Sequence, residues 1–393
     1  MARKQKSKSK SARRKGESGS VFWRLLLVGL VGYGCYAFWR HERNIQHEHG
    51  PQYAKRAVPD SIDAAVDASI AAGSVPKTRS APQPQQQPLM EPPPPEPPLI
   101  SHQMPSDFPR PVLNVLEAQI ALARRGISPG SIDGRLGSQT REAISVFQEV
   151  QNLPVTGVLD DQTRSNLTLA APILMSYTVT TNDLDSLQPL GTNWLSKSEQ
   201  TSLAYPTELE LLGEKSHSSP TLIEKLNPDV DWAYVVAGTV VQIPDVTYPD
   251  PDGKAAFVVI HLSDRYLEAF DDATNLMLHF PCSIAQKVEK RPVGELHVTV
   301  IIPNPNYTVD PDLFPESDEL KAIGHKLILP PGPKNPVGVA WMGLDKPGYG
   351  MHGTPNAQQV GRTESHGCFR LANWDAEYLS QIVWVGMPVE VVE

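Results

Sequence analysis

The sequence predicts a multidomain chain: a membrane anchor and disordered linker, a small all-α domain, an α+β segment, and an all-β, sandwich-like domain at the C-terminal end. Three observations predict it. A basic head, with eight Lys/Arg against the single acid Glu17 in residues 1–20, runs into a nearly uncharged apolar stretch over residues 21–40. Thirteen prolines crowd between Pro76 and Pro111. Beyond them the hydrophobic period is first helical and then two-fold, with short β-branched runs from Ala255 onward. At 393 residues there is length for about two or three domains and at least one sizeable core.

The net charge of −9 is unevenly spread: the head carries +7 and the remainder −16. A body this acidic argues against nucleic acid as a partner, which would need a basic face on the folded part. The stretch "VFWRLLLVGLVGYGCYAFWR" has about the length a bilayer requires, Arg24 can snorkel to an interface, and Trp23 and Trp39 stand near its two edges. No small-x-small cleavage site follows it. The expectation is a basic cytoplasmic tail (1–20) and an uncleaved single-pass anchor (21–40) in the inner, cytoplasmic membrane, with everything beyond it periplasmic. Residues 41–110, with "EPPPPEPP" and "PQPQQQP", read as a disordered Pro/Gln-rich tether. Its proline-dense part could reach roughly 100 Å.

Order resumes over residues 111–170. Val112, Val115, Leu116, Gln119, Ile120 and Ala123 follow helical spacing. Ser138 is placed to cap a second helix bearing Ala143, Ile144, Phe147 and Gln148, and "LPVTGVLDDQT" leads to a short third. The block "IDGRLGSQTREAISVFQ" with "LPVTGVLD" resembles the peptidoglycan-binding module of cell-wall hydrolases. The residues carrying that resemblance are chiefly the module's own turns and core. Residues 176–245 open on "SYTVTTNDL", pass through "PTLIEKLNPDV" and close on "VVAGTVVQIP". That order resembles a lysin-motif repeat, a glycan binder, interrupted by an insertion around "LGTNWLSKSEQTSLAYPTEL".

Residues 255–393 hold the chemistry. "AAFVVIHL", "RYLEAFDD", "LMLHFPCSI", "GELHVTVII" and "VGMPVEVVE" read as strands, and the loop-rich stretches between them could build a cleft. Of three cysteines, Cys368 stands in "GRTESHGCFRL", near His366 and His352. A metal reading would draw on His352, His366, Cys368 and His325, but the spacing lacks the paired ligands of zinc sites, so no metal and no cofactor is expected. A disulfide to Cys282 is open in an oxidising compartment. A buried inert thiol would not explain the surrounding glycines and histidines. A nucleophile would: an imidazole lowers the thiol pKa to form a reactive thiolate, and glycine beside the sulfur admits a carbonyl to loop N–H groups. Spacing leaves the base open between His352 and His366.

The run "MHGTPNAQQVGRTESHGCFRL", with "RPVGELHV" upstream, resembles the L,D-transpeptidase catalytic domain, which modifies peptidoglycan through a cysteine. That resemblance implies Cys368 as nucleophile and His352 as general base. It further implies Gly353 orienting the imidazole by its carbonyl, and Ser365, His366 and Gly367 shaping the oxyanion region. Arg370 would favour a substrate carboxylate. Tyr349, Met351 and Trp341 are expected as substrate-binding cleft walls. The donor would be a stem tetrapeptide, acylating Cys368 at diaminopimelate with loss of D-alanine. The acceptor would be a second diaminopimelate amine, an envelope-protein lysine, or water, the last making a carboxypeptidase. A non-catalytic peptidoglycan-binding scaffold is the alternative from another class.

Overall fold

The computed structural model describes residues 107–393 except 315 and 363–366. The expected tail, anchor and nearly all of the linker lie outside the described residues. Among the described residues no helix is long and apolar enough to cross a membrane.

The chain first forms β1 (Arg110–Pro111), α1 (Val115–Ala123), α2 (Ser138–Val150), α3 (Asp161–Asn166) and β2 (Thr168–Leu169). Its three helices are closed by the β1–β2 pair. Two buried glutamines explain the glycine turns of the motif. Gln119 Oε1 accepts from the Asp133 and Gly134 N–H groups, and its Nε2 donates to Thr140 Oγ1. Gln148 clasps the second turn the same way, accepting from Thr156 and Gly157 and donating to Thr163. Buried amides satisfied on both ends stabilise the turns and leave none of these groups for a ligand. The cap of α2 is Gly137, not Ser138, which is the first helical residue and makes no side-chain cap.

Next come β3 (Leu174–Thr178), α4 (Thr181–Asp185), α5 (Trp194–Ser198), α6 (Glu208–Lys215), α7 (Pro220–Leu226) and β4 (Val240–Pro244). Strands β3 and β4 pair antiparallel, and a small core of Leu212, Ile223, Val241 and Ile243 seals the helices to them. Two paired strands with four helices between them give the α+β character expected of this segment. Its insertion, however, leaves this core and packs elsewhere, as described below.

The C-terminal domain contains β5 (Phe257–His261), β6 (Tyr266–Phe270), β7 (Leu276–Pro281), β8 (Gly294–Pro303), β9 (Tyr307–Val309), α8 (Asp318–Ile323), β10 (Leu327–Leu329), β11 (Ala340–Leu344), β12 (Gly350–His352), β13 (Phe369–Arg370), α9 (Asn373–Ile382) and β14 (Pro388–Val392). Eight strands form one mixed sheet in the order β13-β12-β11-β8-β14-β5-β6-β7. Strand β14 enters the middle, parallel to β5 and antiparallel to β8, so the last residues of the chain lock the sheet. Helix α9 packs on β11, β12 and β8, an addition to the all-β expectation. The edge strand β7 is covered by the helical module: Ser128 N–H donates to the His279 carbonyl at 2.8 Å, and His279 N–H to Gly126 at 2.9 Å. Covering an edge removes unpaired backbone groups, and one apolar core runs continuously through both domains. Cys282 sits in that core as a free thiol, fully buried, and burial pushes it up to about 12. The disulfide to Cys368 is not formed.

Candidate active site

Strands β12 and β13 bring the site together. They run parallel, with Met351 opposite Phe369 and His352 opposite Arg370. Because successive side chains alternate between faces, His352 and Arg370 share one face while Met351 and Phe369 turn to the other. Met351 and Phe369 are accordingly sealed in the core. This corrects the expectation of Met351 as a cleft wall: the two-residue period sends it beneath the site. Cys368 immediately precedes β13, beside Gly350, on the face of His352 and Arg370.

His352 is 4% exposed, and its Nδ1 lies 2.6 Å from the Gly353 carbonyl oxygen. A carbonyl only accepts, so Nδ1 carries the proton and Nε2 is left with a lone pair. Burial is the main cause lowering the imidazole pKa to about 4, with the Arg370 charge adding to it. Trp341, opposite His352 on β11, stacks on the ring at 5.4 Å between centroids. It lies flat because Gly343 and Gly350 have no side chains: a Cβ at Gly350 would come within 2.8 Å of the indole. Trp341 therefore fixes the imidazole plane, a role beyond that of a wall. Tyr349 is half-buried and donates through its hydroxyl to the Lys290 carbonyl at 2.9 Å, with its ring against Gly367.

Cys368 is partly exposed, and its Sγ is 3.3 Å from the Gly348 carbonyl oxygen. Burial raises the thiol pKa, against smaller lowering contributions from the Gly350 backbone and Arg370. A depressed imidazole and a raised thiol make the resting pair neutral. Burial thus opposes charge on both groups, and the expected thiolate would have to overcome it. Gly367 is buried beside the sulfur. Ser365 and His366, expected in the oxyanion loop, lie outside the described residues.

Arg370 is half-buried; burial lowers its pKa, and Cys368 and Tyr307 act against that. Its backbone exchanges two hydrogen bonds with Ser283, at 2.9 and 3.0 Å. It borders a cavity shared with Ser283, Thr354, Asn356, Gln359 and Val360.

Two residues of the site escaped sequence reasoning. Tyr307, at the start of β9, is close enough to Cys368 and Arg370 to exchange charge effects with both. Its segment was expected on the substrate side, but nothing distinguished the tyrosine. Asn373 is 1% exposed behind Gly353, and a Cβ on Gly353 would stand 2.4 Å from its Oδ1. Its signal was a polar residue inside the apolar run "RLANW". Among the described residues no group of three His, Cys, Asp or Glu could hold a metal ion.

Residues 255–391 match the family model described as the L,D-transpeptidase catalytic domain. The C-terminal domain is an L,D-transpeptidase catalytic domain. Residues 113–167 match the model of a peptidoglycan binding domain. The chain is similar to "Probable L,D-transpeptidase YbiS" of Escherichia coli, 30% identical over 170 residues, covering 42% of this chain and 54% of that protein. It is 28% identical over 173 residues to "Probable L,D-transpeptidase ErfK/SrfK" of the same species, covering 42% and 53%. The chain thus spans about half the length of these curated relatives. Among solved structures, L,D-transpeptidase 3 from Mycobacterium tuberculosis is 20% identical at a TM-score of 0.28, over 41% of this chain and 77% of that one. Within the L,D-transpeptidase domain, the catalytic candidates Cys368 and His352 both fall inside the matched residues.

Proposed function

We propose that the protein is a membrane-anchored L,D-transpeptidase acting on peptidoglycan stem tetrapeptides through a Cys368 thioester. The observation that carries this reading is the β12–β13 pairing, which sets a partly exposed thiol and a neutral, tautomerically fixed imidazole on one face of the sheet. The thiol rests protonated, toward the Gly348 carbonyl. As Sγ attacks the diaminopimelate carbonyl, its proton passes to His352 Nε2 and the carbonyl oxygen becomes an oxyanion facing the Gly367 loop. Collapse breaks the peptide bond, and His352 returns the proton to the departing D-alanine amine. The thioester is then attacked by an acceptor amine, His352 takes that amine's proton, and the thiolate leaves to be reprotonated. The Gly353 carbonyl stabilises the imidazolium formed in each half-reaction. Arg370 receives a donor carboxylate.

The acceptor is a second diaminopimelate amine, giving a direct cross-link, or an envelope-protein lysine. Residues 21–40 hold the chain in the inner membrane with the catalytic domain periplasmic, and the peptidoglycan-binding and lysin-motif-like segments keep substrate near the thiol. Incubating the protein with purified tetrapeptide muropeptides and following product masses tests the reading. D-Alanine loss with a second stem attached is expected. Loss with a gain of water would identify a carboxypeptidase, and no change would leave a peptidoglycan-binding scaffold.

A further inference from the structure

Residues 188–205, which hold most of the insertion in the lysin-motif-like segment, form a stretch between the two regions matched by family models. It does not join the small core of its own segment. Leu203 is fully buried with Val309, Leu320, Leu327 and Leu329, which are side chains of β9, α8 and β10. These elements form a cap beside the sheet, with Tyr307 opposite Leu329. Trp194 meets Phe314 at 5.9 Å, and Leu195 N–H donates to Glu319 at 3.1 Å. The backbone is fastened too. Leu203 N–H donates to Pro331, and its carbonyl accepts from Lys334, both at 2.9 Å. Gly332, at φ +139°, makes the approach sterically feasible: a Cβ there would lie 2.3 Å from the Leu203 carbonyl oxygen.

The end of the insertion reaches the other side of the site. The 331–334 turn that Leu203 fastens holds Asn373 from this side. Asn373 in turn donates to the Pro333 carbonyl at 3.0 Å, accepts from Val339 N–H at 3.3 Å, and fills the notch left by Gly338 and Gly353. Gly353 is the residue whose carbonyl orients His352.

We propose that residues 188–205 are a positioning element of the reaction centre: Leu203 seats the cap that holds Tyr307 beside Cys368 and Arg370, and by fastening the 331–334 turn it steadies Asn373 behind the Gly353 carbonyl. The proposal deepens the transpeptidase reading and rests on its assignment of Cys368 and His352. A segment resembling a glycan binder thereby contributes to catalysis as well as to tethering. Loosening the cap disturbs the substrate wall and opens the sulfur to solvent, and loosening the 331–334 turn frees Asn373 and misaligns the base.

The test uses the full chain carrying Leu203→Ala or Leu203→Met. Turnover of a tetrapeptide donor is measured alongside iodoacetamide labelling of Cys368, read by peptide mass. Leu203→Ala is expected to raise KM at least fivefold and to speed Cys368 labelling several-fold, while the volume-conserving Leu203→Met stays within twofold of wild type. Kinetics and labelling within twofold of wild type in Leu203→Ala would overturn the proposal. A wild-type protein that labels but does not turn over would instead sink the substrate reading, and faster labelling in Leu203→Ala would still sustain the cap contact.

Discussion

The neutral resting pair makes a quantitative prediction about pH. The Cys368 thiol is held above the ordinary value of 9.0, principally by burial, so the sulfur rests mostly protonated at pH 7. Alkylation requires the thiolate. The labelling rate should therefore climb about tenfold per pH unit, roughly a hundredfold from pH 7 to pH 9, without a plateau in that range. A thiolate–imidazolium pair would behave differently: the sulfur would be ionised as soon as pH exceeded the low thiol pKa, and the rate would be flat across neutrality. The assay is iodoacetamide labelling at fixed reagent concentration from pH 5 to pH 10, quantified on the Cys368 peptide. Cys282 is an internal reference, since its burial and its value of about 12 should keep it unlabelled throughout. A flat Cys368 profile between pH 5 and pH 8 would refute the reasoning and restore the resting ion pair.

Three further outcomes are expected. Removing the general base in His352→Ala should cost about 10²- to 10⁴-fold in acylation, whereas Arg370→Ala should act mainly on KM, as single-turnover and steady-state kinetics would show. Asp375 is fully buried against Tyr248 and Ser128, and burial raises its carboxyl to about 8. Its stabilising contribution is complete below the ordinary carboxylate value and is lost as pH rises toward 8. The melting temperature should thus fall less between pH 6 and pH 9 in Asp375→Asn than in wild type, and equal slopes would contradict this. Gly353→Ala places a methyl 2.4 Å from Asn373 Oδ1. Overpacking of this kind costs about 1–3 kcal/mol, at about 2–4 °C per kcal/mol for a chain of this size, and thermal melts with acylation rates would register both losses.

Local pattern carried much of the architecture. The β-branched runs gave strands β5 to β8 and β14, and the histidine, glycine and cysteine of the reaction centre were visible because few other chemistries explain them together. What could not be read was set by contacts distant in sequence. Met351 looked like a wall residue because it adjoins His352, yet strand alternation buries it. Helix α9 follows the cysteine within a run that contained no separate signal for it. The thiol pKa depends on desolvation by residues folded around the sulfur, which no spacing encodes. The insertion at 190–209 read as an interruption, since the partners of its Leu203, namely Val309, Leu320 and Leu329, lie more than a hundred residues away.

The most direct test of the account is the intact mass of the protein mixed with a tetrapeptide donor and quenched in acid. It predicts a covalent adduct of the donor less D-alanine, mapped to Cys368, labile to hydroxylamine and absent from Cys368→Ala. D-Alanine release that persists in Cys368→Ala, or an adduct on any other residue, would contradict it.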